Sequence, residues 1–101
     1  MFESVLIQIR ALVRARRYFV TPHADDAMLD DELVLDDVVE CVLTGHVVER
    51  QRDQEHRTWK YLVEGGSATG SRLVVVAAFG VTGKLIVVTV YSLEHRDRGV
   101  P

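Results

Sequence analysis

The chain has a single cysteine, two prolines and no hydrophobic run long enough to cross a membrane as a helix. Each scarcity excludes something. Cys41 on its own cannot close an internal disulfide, so a fold of this size must rest on its core, and a reducing, cytoplasmic setting fits. Prolines occur only at Pro22 and Pro101 and glycines gather in short breaks, so no stretch reads as a disordered linker. The N-terminus interleaves arginines with apolar residues and lacks the continuous apolar core and cleavage site of a secretory signal. Positive charge is missing where it matters most. Residues 21–45 hold eight acidic side chains and no Lys or Arg, between ends that are mildly basic.

What is present describes one globular α+β domain, 1–101. The 101 residues are 48% hydrophobic and 27% charged, enough to bury a core without metal or disulfide. Phe2, Val5, Leu6, Ile9, Leu12 and Val13 recur at spacings of three and four, which predicts an amphipathic helix over 1–17. Its apolar stripe suits packing on a sheet, or a homodimer contact. Tyr18 to Val20 reads as a short extended link, after which Thr21 caps a second helix with Pro22 at its first position. Ala24, Ala27 and Met28 face inward, and that helix should end near Asp31. Leu33 to Leu35 reads as extended, with Asp36 the N-cap of a third helix that Gly45 stops.

Beyond Gly45 the period changes from helical to strand-like. His46–Gln51, Thr58–Glu64, Arg72–Phe79 and Leu85–Tyr91 predict a four-stranded antiparallel meander following two to three helices. "LVVVAAF" and "LIVVTVY" are apolar on both faces and should be central, whereas "TWKYLVE" alternates and should lie nearer an edge. Residues 93–101 form a short tail.

Few motifs carry chemistry. "GGSATGSR" has the glycine spacing of a phosphate loop, but it lacks the lysine and leads into a strand, so it reads as a hairpin loop. No HxxxH or CxxC pair exists among His23, His46, His56, His95 and Cys41, so no metal site and no cofactor is expected. Cys41 lies beside Glu40 in the acidic region, which disfavours a nucleophilic thiolate. His23 is the better candidate. At the second position of a helix the dipole disfavours the imidazolium and keeps the ring usable as a base, and Asp26 falls on the same face to orient it. Arg57 and Lys60 at the second strand's start, and Thr89 and Tyr91 on one face of the last strand, are further polar groups that could converge with it.

"YFVTPHADDAML", "LVLDDVVECVLTGHVVER", "SRLVVVAAFG" and "LIVVTVY", in that order over residues 18–92, resemble the DUF4258 family. The resemblance implies a RelE-like, barnase-like α+β fold of the BECR group and metal-independent RNA cleavage, often within toxin–antitoxin pairs. His23 would then be the acid/base, with Arg57, Lys60 and Tyr91 also catalytic and Asp26 and Thr89 lining the substrate. RNA and an antitoxin would be the partners. The family pattern, roughly HxxxRMxxR, has its histidine at His23, while Ala27 and Asp31 stand at its arginines and Val74 where a strand histidine is common. An alternative of a different class follows from the charge: a non-catalytic binding or regulatory module that presents the acidic helices, Asp25 to Glu40, to a basic protein.

Overall fold

A computed structural model describes residues 1–94; the tail beyond Glu94, including His95, lies outside the described residues. Three helices, α1 (Glu3–Arg14), α2 (Pro22–Asp30) and α3 (Leu35–Thr44), join five strands, β1 (Tyr18–Val20), β2 (His46–Asp53), β3 (Thr58–Gly66), β4 (Arg72–Phe79) and β5 (Leu85–Ser92). The sheet order is β1-β5-β4-β3-β2, so the helices-then-meander architecture holds with one correction. Tyr18–Val20 is not a link. It is a fifth strand, parallel to β5 in the register Tyr18↔Leu85 to Val20↔Val87, which makes the sheet mixed. Three residues are too few to show an alternation, and their partner lies more than sixty positions away.

The helices cover one face of the sheet. Leu6, Ile9 and Val13 of α1, Ala24 and Met28 of α2, and Val38, Cys41 and Val42 of α3 are buried. Most of them share one core with Val63, Leu73, Val75, Ala77, Leu85, Val87 and Val90. Each fully buried aliphatic side chain, Ile9, Leu73 and Leu85 among them, contributes about 1.5–3 kcal/mol relative to exposure. The stripe of α1 is therefore used inside its own chain. Alternation sends Leu62, Val74, Val76, Thr89 and Tyr91 to the other face, where Leu62, Val74 and Val76 form a smaller cluster with Val88, Tyr91 and Leu93. As expected, β4 is central and almost wholly buried; β5 has half-buried positions because this second cover is thin.

The helix ends show how the chain is punctuated. Both α1 and α2 close with paired reverse hydrogen bonds, Arg17 N–H to Leu12 O and Leu33 N–H to Met28 O, around a left-handed residue. Those residues are Arg16 (φ 58°) and Glu32 (φ 57°), not glycines. The third helix starts two residues earlier than expected. Its N-cap is Val34, and the Asp37 carboxylate reaches back to accept the Val34 N–H at 2.9 Å, so Asp36 is not the cap. Gly45 does end this helix, although its backbone is extended (φ −92°). What requires glycine is closeness: a Cβ there would lie 2.3 Å from Glu64 O and 2.6 Å from Cys41 O. Arg10 fastens the same corner, donating to Val42 O at 3.0 Å and Gly45 O at 2.7 Å.

Candidate functional site

The N-terminus of α2 is fixed to β5 by one residue. Thr21 Oγ1 accepts the Ala24 N–H at 3.0 Å as an N-cap and donates to Val88 O at 3.1 Å, while Thr21 N–H donates to Val87 O at 3.2 Å. Val88 is the extra residue of a β-bulge, since Val76 pairs with Thr89 and Ala77 with Val87. Thr21 thus occupies the place where the β5 ladder is disrupted. At its other end α2 returns to the same strand, where Asp31 Oδ2 accepts the Ser92 N–H at 2.7 Å. The helix lies along the part of β5 that β1 leaves unpaired.

This anchoring brings "TPHA" beside the "TVY" strand. His23 stands two residues from Thr21, exposed in the first turn of α2. Thr89 and Tyr91 are half-buried and fall on the helix-free face of β5, opposite Val76 and Val74. The expected His23–Asp26 contact is not formed among the described residues; both side chains are exposed to water. In a nine-residue helix whose inner face is Ala24 and Met28, Asp26 is carried outward.

Arg57 and Lys60 are not brought to Tyr91. Tyr91 shares a row with Val74 and Glu64, and Lys60 lies about 13 Å further along β3 and Arg57, in the turn before it, about 23 Å away at roughly 3.3 Å per residue. The cation that borders Tyr91 is Arg72, which precedes the Leu73↔Ser92 pair and donates from Nη2 to Glu64 Oε2 at 3.1 Å. Its signal in the sequence was weak. Only the exact hairpin register places Arg72 diagonally across from Glu64. The "GGSATGSR" segment is the hairpin loop expected, with Ser67 Oγ accepting the Thr69 and Ser71 N–H groups and Gly70 at φ 95°.

Electrostatics divide the surface. A groove of about 450 Å³ at the Ser92 end of the sheet is lined by Asp31, Glu32, Asp36, Asp37 and Glu94, a setting that repels phosphate. Cys41 is excluded as a nucleophile. Burial pushes its thiol up to about 12, and Sγ faces Val63 O and Leu73 O at 3.6 and 3.8 Å. Among the described residues no group of three or more His, Cys, Asp or Glu is placed to hold a metal ion.

An α+β domain with an exposed helix-start histidine fixed beside its last strand is the class these observations define. A family model described as a domain of unknown function, DUF4258, matches residues 20–92. The chain belongs to the DUF4258 family, and the match runs from the start of the Thr21 cap to the end of β5. No curated protein and no solved structure matches it.

Proposed function

We propose that this DUF4258 domain is a toxin-type, metal-independent ribonuclease of RelE-like ancestry. The observation that carries the reading is the Thr21–Val88 junction, which holds His23 beside the strand bearing Thr89 and Tyr91 although the two segments are far apart in sequence. In the reaction, His23 takes the proton of a ribose 2′-OH. The 2′-oxygen attacks phosphorus, the 5′-oxygen leaves, and Tyr91 returns a proton to it. Thr89 positions the phosphate, and Arg72 is the nearest cation for the charge that develops, at reduced strength because Glu64 shares it. Purified protein is expected to cleave RNA in EDTA, with His23→Ala slower by about 10²–10⁴-fold, the usual worth of an acid–base group. If wild type and His23→Ala degrade RNA equally poorly, the reading fails.

A second reading rests on a different surface. Asp25, Asp26, Asp30, Glu32, Asp36 and Glu40 are all exposed, and residues 18–49 contain no Lys or Arg to offset them. Such a face suits a basic protein, an antitoxin in the toxin–antitoxin setting, and would serve equally in a domain without catalysis. Recovery of a stoichiometric basic protein with no associated nuclease activity selects the binding module. Loss of that partner on charge reversal at Asp25, Asp26 and Asp30 would locate the contact.

A further inference from the structure

The acidic helices have a counterpart at the opposite end of the sheet. β2 and β3 pair from His46↔Glu64 to Asp53↔Thr58, whereas the β3–β4 pairs begin at Tyr61↔Ala77. Among the described residues, Gln51–Asp53 and Thr58–Lys60 therefore form a two-stranded ribbon that runs past β4. This ribbon and its turn carry Arg52, Arg57 and Lys60, and Arg50 stands at its base, opposite Tyr61. Of the nearby acids, Asp53 is occupied: it accepts from the Glu55 and His56 backbone N–H groups and contacts His56 Nδ1 at 3.0 Å.

The basic side chains are arranged, not merely present. Arg50 and Arg52 are two apart on one strand and so share a face. Their guanidinium carbons lie 4.0 and 5.2 Å from the centroid of the half-buried Trp59 ring. A ring beneath a guanidinium holds its plane while leaving its outward N–H groups to water. Arg57, in the turn, takes a left-handed backbone (φ 52°) that a glycine would adopt at no steric cost, and it displays an exposed cation there. Lys60 leaves from the other face of the ribbon and forms no ion pair among the described residues.

We infer that the β2–β3 ribbon is a docking arm for the phosphodiester backbone of single-stranded RNA, with Arg50 and Arg52 as a stacking and phosphate-binding platform and Arg57 and Lys60 as flanking phosphate contacts. Guanidinium planes accept an unstacked base on one side and phosphate oxygens at their edges, which single strands offer and a folded acidic protein does not. The inference deepens the ribonuclease reading by assigning a place for substrate that lies apart from His23. It also explains how an acidic protein could hold RNA at all: the strand would approach from the ribbon and avoid the Asp25–Glu40 face.

The test measures binding and cleavage separately. Fluorescence anisotropy with a labelled single-stranded RNA, the matching single-stranded DNA and a poly-glutamate peptide is read across a salt series. Wild type should bind both nucleic acids with a log–log salt slope of about −3 for four contacts, and Arg50→Gln/Arg52→Gln should reduce that slope by about 1.4. Arg57→Gln/Lys60→Gln should do the same, with thermal melts checking that each variant is folded. His23→Ala should bind like wild type, so a protein that binds without cleaving keeps this inference and loses the catalytic reading. Tighter binding of poly-glutamate than of RNA, or salt slopes unchanged in both ribbon variants, would overturn it.

Discussion

Replacing Gly45 by alanine tests whether the corner between α3 and β2 is set by backbone contact. The new methyl would sit 2.3 Å from Glu64 O, 2.6 Å from Cys41 O and 2.9 Å from Glu64 C, all main-chain atoms that cannot rotate away. Relief requires either lifting the last turn of α3 or opening the His46↔Glu64 rung, and Arg10, bonded to Val42 O and Gly45 O, resists both. Overpacking of this kind costs about 1–3 kcal/mol, and with no flexible neighbour the cost should fall at the upper end, about 3 kcal/mol. At roughly 4–8 °C per kcal/mol for a domain near 100 residues, the melting temperature should drop by about 12–24 °C. Gly66→Ala is the control, since its Cβ would meet only Ser71 O at 3.9 Å. Thermal melts by circular dichroism give both numbers. A Gly45→Ala protein melting within about 2 °C of wild type would refute the reasoning.

Four further outcomes are expected. Thr21→Val should lose about 2–3 kcal/mol by denaturant titration, from a missing N-cap and an unpaired Val88 carbonyl, while Thr21→Ser stays close to wild type. Arg10→Met should cost about 1.5–3 kcal/mol, since both hydrogen bonds to the α3 corner are made by a charged donor. Cys41, with its thiol pushed up to about 12 by burial, should resist a disulfide reagent at pH 8 until denaturant is added; rapid labelling of native protein would contradict the assignment. The His56 ring, hydrogen-bonded to Asp53, should titrate by NMR above its ordinary value of 6.5 and return to it in Asp53→Asn. Because the shift is upward, any stability it contributes is present below pH 6.5 and lost as pH rises through the shifted value; the pair is exposed, so that contribution is small.

Much of the fold was legible because its signals are local. The α1 stripe, the Thr21-Pro22 start and the two apolar strands follow from periodicity and capping chemistry within single segments. The parts that were not legible depend on distant partners. Three residues at 18–20 become a strand only because β5 offers them an edge, and Asp37 displaces Asp36 as the capping acid because its carboxylate reaches back to Val34 N. The candidate site divides the same way. His23, Thr89 and Tyr91 were readable as pieces, but the attachment of α2 to β5 depends on a hydrogen bond to a bulge carbonyl that no pattern announces. Arg57 and Lys60 lie toward the far end of the β2–β3 hairpin from the row of Tyr91, since strand register, not residue type, decides which row a side chain joins.

Asp31 gives a final consequence. It occupies a position where the pattern this stretch resembles has an arginine, and its carboxylate accepts the backbone N–H of Ser92 on the strand edge that α2 guards. A guanidinium has no acceptor to offer that amide. An arginine placed at position 31 by a single change would therefore exchange a covered edge for a bare one, and the cation would arrive together with a fault in the scaffold.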